Sequence, residues 1–411
     1  MTNRRVVVTG LGMVSPLGND LETSWKAALE GVCGIDRVTR FDASALGSQI
    51  AGEVKDFDPS KYLGVQEIRR FDRFVHFGVA AGLMALEDSG LEITNELAPE
   101  VGVAIGSGIG GLPVICANHD ALRDRGPRRI SPFMIPGSII NMTSGQLAIM
   151  KNLKGPNIAH VTACSTGLHA IGEAMHIIRR GDAVAMVAGG AEATVHELAM
   201  GAFDAMRALS RRNDDPKTSS RPFDKDRDGL VLGEGAGTLI LEDLESALAR
   251  GATIYAEVAG FATNSDGRHI TNPDSDRMRD VMREALEVAG MKPEDVGYVN
   301  AHGTATLHGD VAESRAVEAV FGDRVPMSTL KGFMGHTLGA CGALEAWMSI
   351  EMMRAGWFAP TCGLANPDPE CGKCDYIMGE GRPITTDVVM SNNFAFGGIN
   401  TSLIFKRWTG A

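Results

Sequence analysis

Two stretches decide the fold: Val161-Thr-Ala-Cys-Ser-Thr-Gly-Leu-His-Ala-Ile-Gly-Glu173 and Gly335-His-Thr-Leu-Gly-Ala-Cys-Gly-Ala-Leu-Glu345. Each opens a Gly/Ala-rich helix. Laid over one another they align Cys164 with His336, Gly167 with Gly339 and Glu173 with Glu345. In a duplicated chain both reactive residues would then stand at equivalent helix N-termini and face each other across a pseudo-two-fold axis.

The pattern outward from these stretches is α/β. Residues 5–9, 101–105, 183–188, 237–241, 297–300 and 388–391 read as apolar strands, and 74–89, 167–180, 275–290 and 339–355 carry helical spacing. That alternation predicts buried sheets covered by helices. No low-complexity linker divides the 411 residues, whose composition of 44% hydrophobic, 22% charged and 6% aromatic, with 50 glycines, is that of a globular protein. A net charge of −12 argues against nucleic acid as the main partner. The start, Met1-Thr-Asn-Arg-Arg5, leads into Val6-Val-Val-Thr-Gly10 without the apolar run of a signal peptide, and no apolar run is long enough for a membrane span. The seven cysteines therefore read as reduced thiols of a cytoplasmic protein. Cys371-Gly-Lys-Cys374 lacks a second ligand pair at zinc spacing.

The chemistry concentrates at a few places. Cys164 sits where a strand-like run gives way to a helix; the positive end of the helix dipole lowers a thiol's pKa there, so a thiolate nucleophile is expected. His302, in Asn300-Ala-His-Gly-Thr-Ala-Thr306, follows a strand, and His336 precedes a helix. Glycines beside both let a ligand approach, which suits hydrogen bonding to a thioester carbonyl and its enolate. His76, His119, His176, His196 and His269 lack that context. In Asn392-Asn-Phe-Ala-Phe-Gly-Gly-Ile-Asn400 the Gly-Gly pair could bring backbone N–H groups to an oxyanion while a phenylalanine gates an apolar channel. Gly10-Leu-Gly12 and Gly106-Ser-Gly-Ile-Gly-Gly111 imitate a dinucleotide loop, but no acid-tipped strand follows the second.

Thr162-Ala-Cys-Ser-Thr-Gly167, Asn300-Ala-His-Gly-Thr304, Lys331 five residues before His336, Gly339-Ala-Cys-Gly-Ala-Leu-Glu345 and Phe394-Ala-Phe-Gly-Gly-Ile-Asn400 together resemble the elongating β-ketoacyl-[acyl-carrier-protein] synthases. The resemblance runs from Arg5 to Phe405. It implies the thiolase-like duplicated five-layer α-β-α-β-α fold, with an N-terminal half (1–255) carrying the nucleophile and a C-terminal half (256–411) carrying both histidines, normally as a homodimer. It further implies a decarboxylative Claisen condensation that elongates fatty acyl chains. Cys164 would hold the acyl group, the amides of Cys164 and Phe396 would form the oxyanion hole, and Phe394 would belong to the gate.

By the same resemblance His302 and His336 polarise the malonyl thioester, while Lys331 and Glu345 form a charged pair that fixes histidine geometry. Thr304 and Thr306 hold the phosphopantetheine arm, and Ile109 and Phe203 meet the substrate. Asn300, Glu345, Ser391 and Asn392 match a monovalent-cation site, and Arg69, Arg70 and Arg212 match a docking patch for the acidic acyl carrier protein. No other cofactor is implied, since phosphopantetheine arrives on the carrier. The sequence departs from the family at Ala305, Leu307, Gly332-Phe-Met334, Ala395 and Ile399. Ala395 should stiffen the gate, and Phe333 and Ile399 should add bulk near the site. These departures keep open a condensing enzyme of a specialised polyketide or polyene pathway. A degradative thiolase would carry a second cysteine where Phe396 stands, and a non-catalytic chain-length partner would lack Cys164.

Overall fold

The computed structural model describes residues 4–410; Met1, Thr2, Asn3 and Ala411 lie outside the described residues. Eleven strands form the main sheet. The first five are β1 (Val6–Val14), β2 (Val101–Gly106), β3 (Asn157–Ile158), β4 (Ala185–Glu192) and β5 (Gly235–Asp243). They are followed by β6 (Ala256–Ser265), β7 (Tyr298–Asn300), β8 (Pro326–Ser328), β9 (Asp375–Tyr376), β10 (Val388–Ala395) and β11 (Ile399–Lys406). The spatial order is β9-β8-β7-β10-β11-β6-β1-β5-β4-β2-β3.

That order is one pattern written twice. From β1 outward the pairings with β5, β4, β2 and β3 run antiparallel, antiparallel, parallel, parallel. From β6 outward, β11, β10, β7 and β8 repeat the series, with β9 added at the edge. The two half-sheets join only where Val7 and Val8 of β1 meet Glu257 and Ala256 of β6. Every residue of β1, β2, β4 and β5 is buried, the signature of a sheet covered on both faces.

Helices supply the cover. Labelled in chain order, they are α1 (Arg73–Ser89), α2 (Thr166–Arg180), α3 (Ser275–Ala289), α4 (Leu307–Phe321), the single turn α5 (Lys331–Met334) and α6 (Cys341–Ala355). The outer helices are closed by side chains and glycines: Asp72 caps α1 and Asp274 caps α3, while Gly90 and Gly290 end them in the left-handed conformation. α1 packs on β1, β5 and β4, and α3 on β6 and β11. α2 and α6 lie between the halves, each touching strands of both, which completes the thiolase-like five-layer α-β-α-β-α arrangement. α6 is buried on nearly all sides and so shows no polar stripe.

The duplication has a different register from the one the sequence alignment gives. Ala163 and Leu338, both outside the usual range for non-glycine residues at φ 49° and 47°, each open a 3₁₀ turn that runs into α2 or α6. A Cβ on Gly167 would lie 2.7 Å from the Ala343 amide nitrogen, and one on Gly342 would lie 2.6 Å from that of Leu168. The structural partner of Cys164 is therefore Gly339, and of Gly167, Gly342; His336 sits three residues earlier. The Gly167/Gly339 and Glu173/Glu345 identities were coincidences of Gly-rich composition. β6 was not legible either, because its small and polar residues lack a strand-like apolar run, whereas β11 carries one in Leu403-Ile-Phe405, a signal that was available. Phe333 and Ile399 do not line the active-site cavity; Phe333 is packed in the central core.

The α2–α6 crossing yields the first prediction. Gly342→Ala should cost about 1–3 kcal/mol by overpacking and lower the midpoint of thermal melts. Gly145→Ala, in the helix Met142–Lys151, where the nearest atom to an added Cβ is Met142 Sδ of the same helix at 3.9 Å, should be neutral or slightly stabilising. Equal melts for both variants would contradict the tight crossing.

Candidate active site

A cavity of about 430 Å³ opens at the seam between the halves, lined by Cys164, His302, His336, Phe394, Phe396 and Leu338 at its base. Cys164, His302 and His336 are all buried, and their ligand-capable atoms lie within 4.8 Å of one another. The nucleophile's turn is pinned by the opposite half. Ser165 Oγ donates to the carbonyls of Asn393 and Ile399 at 3.1 and 3.0 Å, and Cys341 Sγ donates to the Cys164 carbonyl at 3.2 Å. Such over-determination is what holds Ala163 in its strained conformation.

The hydrogen bonds fix where each imidazole carries its proton. His336 Nδ1 accepts from the Leu338 amide at 3.2 Å, so its proton is on Nε2, 3.0 Å from Cys164 Sγ. His302 Nδ1 faces two donors, Lys331 Nζ and Asn393 Nδ2, each at 3.2 Å, so its proton is also on Nε2. Burial, with Lys331 nearby, holds both rings well below their ordinary pKa and therefore neutral. The two rings stand nearly perpendicular, their centroids 5.2 Å apart. Three ligand-capable atoms this close could suggest a metal. Both Nε2 atoms are donors, however, so the pocket is built to receive a carbonyl oxygen or an oxyanion and not a cation.

Lys331 has no free hydrogen-bonding capacity. Its ammonium donates to Glu345, to the His302 carbonyl at 2.6 Å and to His302 Nδ1. Burial is the largest single influence and works against its charge, but Glu345, with Cys341 and Glu313, together hold the pKa above the ordinary value. Lys331 is a positioning residue here. Glu345 is also satisfied by Asn393 Nδ2 at 2.8 Å and by Asn300.

Burial pushes the Cys164 thiol up to about 12, against the pull of Lys331 and the Phe396 amide. The expected resting thiolate is thus corrected: the turn and helix start do favour the anion, but removal from water costs more. The Phe396 amide that opposes this shift lies at the sulfur, where an oxyanion hole requires it. Phe396 begins the Phe396-Gly-Gly398 loop between β10 and β11, whose glycines take φ 86° and 71°. The loop is tied down by Gly397 N donating to the Ile270 carbonyl at 2.8 Å. Phe396 stacks on Phe203 with centroids 6.5 Å apart, and Phe394 meets the His302 ring edge-on at 6.3 Å. Ile109 and Phe203 line the cavity, as do Thr304 and Thr306, whose hydroxyls lie 2.9 Å apart.

Some residues escaped the sequence. Two carboxylates of α4 clamp the loop after β7: Glu313 accepts from the amides of His302 and Gly303 at 2.6 and 2.7 Å, Asp310 from those of Thr304 and Ala305 at 3.0 and 3.1 Å. Their i, i+3 spacing puts both on one helix face, a signal that was available. Asn393 shares a face with Ser391 by strand alternation and could have been found the same way. Glu192, fully buried, accepts from Ser107 Oγ and from the amides of Gly108, Ile109 and Gly339. The glycine loop that imitates a phosphate cradle is filled by this carboxylate, and Gly10 and Gly12 lie inside β1 against α1.

Among the residues matched to a cation site, Asn300 leaves Oδ1 buried without a partner, beside Ser391 Oγ at 3.2 Å from its Nδ2 and beside Glu345. An orphaned carbonyl next to a carboxylate fits a small cation. The Asn392 side chain donates from Nδ2 to Met282 Sδ and leaves its own Oδ1 buried without a partner as well, while its main-chain carbonyl accepts from Asn393 Nδ2. Of the arginines matched to the docking patch, Arg69 is exposed, Arg70 stacks on Phe133 at 4.4 Å, and Arg212 lies 3.7 Å from Asp228. Among the described residues no helix is long and apolar enough to cross a membrane.

A duplicated thiolase-like fold with a buried cysteine, two Nε2-protonated imidazoles and a backbone amide at the sulfur defines an acyl-transferring, carbon–carbon bond-forming class of protein. The chain belongs to the beta-ketoacyl synthase family: its N-terminal domain matches residues 3–247 and its C-terminal domain residues 255–365. It is 52% identical over 412 residues to the 3-oxoacyl-[acyl-carrier-protein] synthase 2 of Coxiella burnetii, with 99% of each chain covered. A solved beta-ketoacyl synthase from Burkholderia phymatum superposes with a TM-score of 0.93 at 42% identity, covering 98% of this chain and 100% of that one. A type II polyketide ketosynthase, solved with its acyl-carrier protein and a bound hexaketide, gives a TM-score of 0.91 at 30% identity, covering 99% and 100%.

The raised thiol pKa sets a pH dependence. The rate of Cys164 alkylation by iodoacetamide should climb with pH from 6 to 9 without levelling, because a pKa of about 12 leaves the thiolate fraction growing throughout. A plateau near neutrality would show a resting thiolate.

Proposed function

We propose that this chain is an elongating β-ketoacyl-[acyl-carrier-protein] synthase, and that the two Nε2–H groups aimed at the space beside Cys164 carry the assignment. Cys164 Sγ attacks the acyl thioester of a carrier protein. The amides of Cys164 and Phe396 hold the oxyanion, and the pantetheine thiol leaves with the cysteine's proton. Acylation removes the sulfur as a partner for His336, freeing its Nε2–H. The malonyl thioester carbonyl then accepts from His302 and His336, carbon dioxide departs, and the electron pair of the broken bond forms an enolate. Its carbon attacks the acyl-Cys carbonyl, and collapse expels the Cys164 thiolate and a β-ketoacyl product two carbons longer. Neutral imidazoles suit these steps, since a charged one would give up its proton to the enolate and quench it.

Thr304 and Thr306 line the approach and would hold the pantetheine arm, with Ile109 and Phe203 against the acyl chain. The partner is an acyl carrier protein, and Arg69 is the docking arginine best placed to meet it, being exposed and without an ion pair among the described residues. A second copy of the chain fits the face around Ile135, Ile149 and Val161, exposed to 61%, 75% and 55%, beside the open edge of β3. The cytoplasm suits the seven unpaired cysteines. Asn300, Ser391, Glu345 and Asn392 would hold a monovalent cation that steadies the charge behind His302, the orphaned Oδ1 atoms of the two asparagines supporting this reading. Fatty-acyl elongation is favoured over a specialised polyketide pathway by the higher identity to the first relative.

The histidines separate the half-reactions. His302→Ala and His336→Ala should leave the acyl adduct on Cys164 detectable by mass spectrometry while condensation falls by roughly 10²–10³-fold, and Cys164→Ala should abolish both. Loss of the adduct in parallel with condensation would count against the assigned roles. Arg69→Glu should raise the KM for the carrier-linked substrate severalfold and leave a small acyl thioester unaffected; equal loss on both would refute the docking role.

A further inference from the structure

Away from the active site, Cys33 and Cys362 meet over Gly332, the residue after Lys331. Cys33 Sγ donates to the Gly332 carbonyl at 3.4 Å, and a Cβ on Gly332 would lie 2.8 Å from Cys362 Cβ. The two side chains thus flank the same peptide unit, and Lys217 touches both residues. Lys217 closes the cluster, its ammonium donating to the carbonyls of Cys33 and Ile35 at 3.1 and 2.7 Å and to Asp36 Oδ2 at 3.0 Å. Its own carbonyl faces Cys362 Sγ at 4.0 Å. Both cysteines are only half-buried, so a small solute can reach them.

We propose that Cys33 and Cys362 are a peroxide-oxidisable pair, a modification site separate from Cys164, which closes reversibly to a disulfide beside Gly332. The Cys33 thiolate attacks one oxygen of hydrogen peroxide and expels hydroxide, becoming a sulfenic acid. The Cys362 sulfur then displaces the sulfenic hydroxyl, and the two thiol hydrogens leave in two waters. A dithiol reductant restores the pair by exchange. The cluster supplies the needed asymmetry. The Cys362 thiol donates to Cys33 and, against the cost of burial and with help from the Ile35 amide and Lys217, holds Cys33 down to about 7. Burial pushes Cys164, Cys371 and Cys374 up to about 12, 11 and 12. Allowing for the weaker nucleophilicity of an acidic thiol, Cys33 should react at pH 7 about threefold faster than an unperturbed thiol.

The test uses the full-length protein. It is treated with one equivalent of hydrogen peroxide at pH 7, its remaining thiols are blocked with iodoacetamide, and its peptides are mapped without reduction by mass spectrometry. The expected result is a Cys33–Cys362 cross-linked peptide that disappears on prior treatment with dithiothreitol, while Cys164 stays alkylatable. In Cys362→Ser the cross-link should be absent and Cys33 should be trapped by dimedone as its sulfenic acid. The proposal is overturned if both cysteines remain alkylatable at a dose that oxidises Cys164, or if Cys33 is oxidised while Cys362 stays a free thiol.

Discussion

The close crossing of α2 and α6 is the constraint from which the rest follows. At Gly167 and Gly342 no side chain separates the two helices, and each backbone lies where the other's Cβ would be. That approach sets the two 3₁₀ turns side by side and brings Cys164, from one half, to 3.0 Å from His336, from the other. Neither half contains a reaction centre by itself. The half-sheets meet through only two residue pairs between β1 and β6, so the middle layer of helices holds the seam in register.

Charge is handled by pairing it behind the cavity and leaving neutral donors in front. Lys331 and Glu345 are both buried, an arrangement that is tolerable only because every ammonium hydrogen has an acceptor and the carboxylate has several donors. The pair holds His302 Nδ1 as an acceptor and so presents Nε2–H to the cavity. His336 reaches the same tautomer by a cheaper route, a main-chain amide at Leu338. Glu313 and Asp310 do for the loop after β7 what Glu192 does for the loop after β2, in each case neutralising a run of backbone amides.

Much of this was legible in the sequence. Cys164, His302 and His336 stood out because glycines and small residues flank them in a way that packing alone would not require, Lys331 entered through the family resemblance, and all four converge. The strands found from the sequence were those with apolar runs; β6, built mostly from small and polar residues, is a strand because the sheet pairs it on both sides. Protonation states were not legible. The thiol's shift depends on how completely water is excluded, and the tautomers depend on hydrogen bonds between residues far apart in the chain, such as Asn393 with His302. Arg70 and Arg212, matched to the docking patch by resemblance, are engaged by Phe133 and Asp228, contacts that no sequence pattern shows.

The register of the duplication explains why only one half carries the nucleophile. Ala163 and Leu338 keep the same left-handed backbone, so the turn that displays a side chain to the cavity exists twice. At the position after Leu338, however, a Cβ would lie 2.3 Å from the Gly108 amide nitrogen and 2.9 Å from Glu192 Oε2. A second cysteine has no room there, and the Gly339 amide instead donates to Glu192 at 3.0 Å, anchoring the loop that carries Ile109 into the cavity. The equivalent turns have thus divided the work. One exposes sulfur to the substrate; the other gives up its side chain so that the Gly108–Ile109 loop can close over the site, and the histidine three residues before it supplies the donor that the sulfur's half lacks.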